Sequence, residues 1–207
     1  MSNSEGFNWE DYDNGPKTVI FNAGKAGELT CTAKLRNTTG ELGPNGNPLP
    51  LYMLTLSDAN NVDEKGAVKT LEVAYYSPKV VDQSLEADLL KRAKNAEKAN
   101  MLSAKALYEA MVGGTMPMGS TPQEAFTLVM EACVAIGEKQ VRAFVEYAKT
   151  NKPHRYLTMR TGFKKGILAN SSTEVFEASD FMNRPPAPNT ESTTTTATAA
   201  AGDDLPF

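Results

Sequence analysis

The densest set of chemistry-bearing side chains in this 207-residue chain runs from Lys139 to Lys165. Eight basic residues (Lys139, Arg142, Lys149, Lys152, Arg155, Arg160, Lys164, Lys165) stand against one acid, Glu146, and Phe144, Tyr147, Tyr156 and Phe163 are interleaved with them. An unpaired nucleic-acid strand requires this mixture: cations follow the phosphates, while aromatic faces stack bases for about 1–3 kcal/mol each without reading sequence. The same stretch also reads as a solvated helix end followed by a strand whose aromatics are core. The helical register of Phe144 assigns that ring to the core in either case.

Catalytic patterns are sparse. The one histidine, His154, lies in Lys-Pro-His-Arg with no serine or cysteine nucleophile beside it, which suits a phosphate contact or a plain surface position better than a general base. Gly24-Lys25-Ala26 lacks the upstream glycine and the following hydroxyl of a phosphate loop. The segments Asp11–Gly15 and Asp58–Val62 are fragments of calcium loops without the terminal glutamate. Cys31 and Cys133 have no metal-ligand spacing and read as reduced, packed thiols. The sequence therefore predicts a protein without cofactor or metal and without enzymatic activity. A metal-dependent nuclease is the catalytic alternative, since carboxylates are numerous though ungrouped.

A second chemical feature ends the chain. From Pro185 to Gly202 there is no large apolar residue and only one charge, Glu191, so burial cannot offset the entropy of ordering it. The composition predicts a disordered linker over 183–202, reaching roughly 20 Å as a flexible coil. At its tip stand Asp203, Asp204, Leu205, Pro206 and Phe207. An apolar pocket on another protein suits Leu205 and the Phe207 ring, and a basic rim suits the carboxylates.

These five residues resemble, position by position, the C-terminal tips of the single-stranded DNA-binding proteins (SSBs) of bacteria and their phages, though with fewer acids than many members carry. The resemblance implies a phage-encoded protein of the host cytoplasm that binds single-stranded DNA without sequence specificity. Such a protein serves replication, recombination or repair, and its tip recruits replication and repair proteins. It further implies an OB-like antiparallel β-barrel, and homo-oligomer formation is compatible with it. A frayed end is the bland alternative. A recombination mediator or annealing protein, or a protein-only adaptor that uses the tail, are the competing functions.

Charge distribution agrees with that reading better than the net value of −4 does. Residues 1–13 carry four acids and no base, and residues 183–207 carry three acids and one base. Taking these from the totals of 21 basic and 25 acidic residues leaves 20 and 18 for positions 14–182, a net of +2. No apolar run approaches the ~20 residues of a membrane span, and the first residues lack a signal peptide's basic and apolar regions, so a cytoplasmic protein without membrane contact is expected.

The elements that must position these residues follow from periodicity. An N-terminal arm over 1–16 holds Phe7, Trp9 and Tyr12 and ends in the turn signal Asp13-Asn14-Gly15-Pro16. An OB-like domain is expected over 17–182. Thr18–Phe21 reads as a strand, and Leu29, Cys31, Ala33 and Leu35 alternate with polar residues as a second. Leu51–Leu56 and Val68–Tyr76 follow after turn-rich loops. A helical hairpin is expected over about 82–151: a helix from Asp82 to about Val112, then one capped by Thr121, Pro122 and Glu124 whose apolar side includes Val141 and Phe144. Strands over Arg155–Thr161 and Thr173–Phe181 complete the reading, a β-rich α+β fold with an inserted helical hairpin and a disordered C-terminal tail. The expected DNA face comprises Lys34, Arg36, Tyr52, Tyr76, Arg155, Tyr156, Arg160, Phe163, Lys164 and Lys165.

Overall fold

Leu29, Cys31, Ala33 and Leu35 are all buried, and the residues between them face outward, so the alternation seen in the sequence becomes strand β1 (Gly27–Asn37). The computed structural model describes residues 26–43, 45–147 and 157–182. The arm over 1–16, the run Thr18–Phe21, the linker and the tip lie outside them.

Strand β1 pairs antiparallel with β2 (Tyr52–Val62) on one side and with β4 (Glu138–Tyr147) on the other. Strand β2 pairs with β3 (Val68–Tyr75), and β4 pairs with β5 (Leu157–Met159) and with β6 (Ile167–Ala169), every pairing being antiparallel. The sheet order is β3-β2-β1-β4-β5 with β6 beside β4, and β5 comes round against β3. The sheet is thus a nearly closed antiparallel barrel. Helices α1 (Ala87–Met111) and α2 (Pro122–Ile136) are inserted between β3 and β4 and pack on one another. The architecture is an OB-like barrel with a helical insert.

The barrel interior is filled from every strand. Leu54, Leu56, Leu71, Val73, Val141, Val145, Met159 and Ile167 meet Phe126, Met130, Leu107 and Met111 of the helices in one core. Helix α2 begins as its sequence predicts: the Thr121 hydroxyl accepts from the Glu124 amide at 3.1 Å, with Pro122 in the first turn. The returning Glu124 carboxylate accepts from the Ser120 amide at 2.7 Å, one residue before the cap.

Four sequence expectations are corrected. The helical insert does not run to about 151: α2 stops at Ile136, Gly137 adopts φ 75°, and the chain turns directly into β4. Val141 therefore sits in the barrel, and Phe144 lies on the opposite face of β4 against Leu168 and Phe176. At the start of the insert, Asp82 lies in a turn, where its carboxylate accepts from the Ser84 amide at 2.8 Å and hydroxyl at 2.7 Å. Strand β2 continues through Val62 with a register shift after Ser57, and the loop shrinks to a turn in which Asp63 accepts from the amides of Lys65 and Ala67 at 2.8 Å. Finally, Thr173–Phe181 is irregular, and β6 takes the ladder position beside β4.

Candidate nucleic-acid interface

On β1 the outward positions 34 and 36 carry Lys34 and Arg36, each one residue out of phase with the buried row. Arg36 lies opposite Met53, which lies opposite Ala74, so its side chain stands over the sheet formed by β1, β2 and β3. Its guanidinium contacts Glu41 at 2.5 Å and reaches across β2 to Glu72 on β3 at 3.7 Å. Lys34 pairs with Glu138 of β4 at 3.0 Å. Just beyond β3, Tyr76 is 60% exposed and offers an aromatic face. The ion pairs are solvent-exposed, and such pairs contribute only about 0.2–1 kcal/mol, so a phosphate oxygen can replace the carboxylate at small cost.

A second group comes from the turn between β5 and β6. Phe163 is 60% exposed there, and Lys164 and Lys165 follow it. Lys164 pairs with Glu177 at 3.3 Å; Lys165 pairs with Glu174 at 2.8 Å and with Glu109 of α1 at 3.4 Å. The bond to Glu174, with Glu109 adding to it, holds the Lys165 ammonium above the usual lysine range despite partial desolvation. The turn is shaped by glycine: at position 166 a Cβ would collide with the Arg160 carbonyl. It docks on α1, where the Gly162 amide donates to the Ser103 hydroxyl at 2.6 Å. A small pocket lined by Tyr75, Ser103, Arg160, Gly162 and Lys164 joins this turn to the end of β3, adjacent to Tyr76. Phe163, Lys164 and Lys165 therefore sit together on a turn that packs beside the end of β3, while Lys34 and Arg36 line the β1–β3 face.

Two residues expected on this surface are inside the protein. Tyr52 is 1% exposed because it shares the inward parity of Leu54 and Leu56. Its ring packs edge-on to Phe126 at 6.0 Å and its hydroxyl donates to Glu131 at 2.6 Å, tying β2 to α2. Burial, with the adjacent Glu131 carboxylate, pushes this phenol above its ordinary range. Arg160 is 4% exposed: it donates to Glu146 at 3.1 and 3.2 Å and to the Glu177 carbonyl at 2.8 Å, all on one buried guanidinium. Neither presents a face to a ligand. Arg155 and Tyr156, with Lys149, Lys152 and His154, lie outside the described residues, as do Asp203, Asp204, Leu205, Pro206 and Phe207. In the sequence Lys149, Lys152, His154, Arg155 and Tyr156 fall between β4 and β5.

Other members of the basic stretch have structural tasks. Lys139 donates to the Met111 carbonyl at 2.7 Å, closing the C-terminus of α1, and Arg142 is held by Glu28 at 2.5 Å and by the carbonyls of Ser172 and Glu174. The acids that mask this surface, Glu72, Glu138, Glu174 and Glu177, were not singled out by the sequence. Glu72 and Glu138 are far along the chain from their cations, Glu174 and Glu177 lie nine and thirteen residues past theirs, and Glu41, five residues after Arg36, is the nearest.

Burial pushes the Cys31 and Cys133 thiols up to about 12, Asp58 adding to the effect at Cys31, so neither supplies a thiolate nucleophile at neutral pH. Among the described residues no cluster of three or more His, Cys, Asp or Glu side chains is arranged to hold a metal ion, and no helix is long and apolar enough to cross a membrane. Comparison with known protein families, with curated proteins and with solved structures finds no match for the chain.

Proposed function

We propose that this protein binds single-stranded DNA without sequence specificity and protects it during phage DNA replication, recombination or repair. The observation that carries the reading is the conjunction of an OB-like barrel with exposed aromatic rings, Tyr76 and Phe163, set among Lys34, Arg36, Lys164 and Lys165. In this fold the β2–β3 face and the loops between β1 and β2 and between β4 and β5 are the customary oligonucleotide surface. Rings of this kind stack on any base, and the lysines and arginines neutralise phosphates, so affinity comes without base readout. No chemical step is assigned to the protein. The C-terminal Asp203–Phe207 acts as a docking peptide for replication or repair proteins, its linker of 183–202 giving it reach. Nuclease protection tests the reading. A labelled oligo-dT kept intact against a single-strand-specific nuclease at saturating protein, without divalent metal in the binding step, is the expected result. A strand cut at the unprotected rate contradicts it.

A further inference from the structure

Helix α1 is longer than the body needs. Its buried residues begin only at Ala104, and the preceding turns, Ala87–Ser103, contain none, with Leu89 48% exposed. Helical stability in proteins comes mostly from packing an amphipathic face, so 17 residues of helix without one fully buried side chain call for another explanation. Their charge supplies it. Lys91, Lys94, Lys98 and Lys105 occur at i, i+3, i+7 and i+14. At 3.6 residues per turn these fall within about 60° of one another and extend over about 21 Å of helix axis. Asp88 and Glu97 lie about 90° off this stripe, and only Glu109, at its inner end, shares its face. Glu109 is bonded to Lys105 at 3.6 Å and to Lys165 at 3.4 Å, so it joins the inner end of the stripe to the turn that carries Phe163, Lys164 and Lys165. That turn is fixed to the helix at Ser103, the point where α1 leaves the core.

From this continuity we infer that the exposed half of α1 is an extension of the binding track: Lys91, Lys94 and Lys98 take the phosphates of a single nucleic-acid strand after it has passed over Phe163 and leaves the barrel. The inference rests on the proposed single-strand binding. Its ligand is the phosphodiester backbone, because the stripe offers cations at helical spacing and no ring on which to stack a base.

The test is the variant Lys91→Glu/Lys98→Glu, compared with Lys65→Glu/Arg92→Glu, in the β2–β3 turn and on α1 away from the stripe, which makes the same change in net charge. Binding of a thirty-nucleotide oligo-dT is titrated over a series of salt concentrations, with circular dichroism and sedimentation run on each protein. The helix variant is expected to bind at least about tenfold more weakly at low salt, with the slope of log affinity against log salt reduced by about 1.4, at ~0.7 per lost phosphate contact. The control is expected to lose less than threefold. Equal losses in both variants would overturn the inference, since net charge would then suffice. So would wild-type affinity in the helix variant, or a change confined to its oligomeric state, which would make the stripe a contact between copies. If the wild-type protein itself leaves the oligonucleotide unbound, the proposed function fails and the track falls with it; binding by wild type with an unaffected helix variant removes the track alone.

Discussion

The guanidinium carbon of Arg160 lies 4.1 Å from the centre of the Phe144 ring, while the same group is bonded to Glu146, whose carboxylate also accepts from the Ser179 hydroxyl at 2.5 Å. A cation, its counter-ion and an aromatic face thus form a buried unit that fastens the 170–182 segment to the outside of β4. The ring of Phe176 completes it, 5.4 Å from Phe144 and 5.6 Å from the Arg142 guanidinium. The residues have the composition of a nucleic-acid site and perform a structural task instead.

Replacing Arg160 accordingly tests structure before binding. Arg160→Met leaves the Glu146 charge without its partner at a site where the two side chains are 4% and 17% exposed. A loss of about 3 kcal/mol is expected in urea denaturation, against less than about 0.5 kcal/mol for the exposed Lys164→Met. Equal midpoints for the two variants would contradict the assignment.

Tyr52 and Tyr76 separate in the same way. Tyr52→Phe removes the bond to Glu131 and is expected to cost about 1 kcal/mol of stability while leaving oligo-dT affinity unchanged. Tyr76→Ala is expected to leave stability within about 0.5 kcal/mol and to weaken oligo-dT binding at least about fivefold, the equivalent of about 1 kcal/mol of stacking. Reversal of these two outcomes would place the stacking ring inside the barrel, against its geometry.

The carboxylates that cover Arg36 compete with phosphate. Glu41→Gln together with Glu72→Gln should raise single-strand affinity about three- to tenfold at low salt, an effect that fades as salt rises. Unchanged or weaker binding would mean that Arg36 does not meet the strand.

The buried thiols give a pH dependence whose sign is set by their raised values. An unfolded cysteine ionises near ~8.5, whereas Cys31 and Cys133 ionise at about 12 in the fold. The folded state thus resists deprotonation that the unfolded chain undergoes, so their contribution is complete below the unfolded value and is lost as pH rises toward the folded one. Unfolding free energies measured at pH 7.5, 9 and 10.5 should decline, and Cys31→Ala/Cys133→Ala should flatten the fall between the first two. Tyr52 and Tyr75, raised by burial in the same direction, add a further decline above pH ~10. A double variant with the wild-type slope would show that the thiols are not the source.

Removing Asp203–Phe207 should leave oligo-dT affinity intact or raise it, because the tip carries acids, and should abolish retention of host replication or repair proteins on the immobilised protein. Retention undiminished by the deletion contradicts a docking role.

How far the sequence revealed this molecule depended on whether a strand had one polar face. β1 and β3 were legible because the buried residues of Leu29–Leu35 and Leu71–Tyr75 alternate with exposed or half-buried ones. β4 was not: Val141, Ala143 and Val145 fill the barrel, but Phe144, on the other face between Arg142 and Glu146 and covered by Phe176, breaks the polar alternation, and the run imitates a helix continuing from α2. Tyr52 was misassigned for the same reason, lying in Leu51-Tyr52-Met53-Leu54, where neither parity is polar. The 173–181 segment was read as a strand, but its carbonyls at Glu174 and Glu177 are bonded to Arg142 and Arg160 rather than to a neighbouring ladder. Of the candidate site, the exposed cations and rings at 34, 36, 76 and 163–165 were visible as residue types. Their pairing with acids up to 104 positions away was not.

Fluorescence anisotropy of labelled oligo-dT and of a matching duplex, titrated with the protein at two salt concentrations without divalent metal, reads single-strand binding itself. Tight binding of the single strand, weakening steeply with salt, and much weaker binding of the duplex are expected. No binding of the single strand, or equal and salt-independent binding of both, would contradict the proposed function.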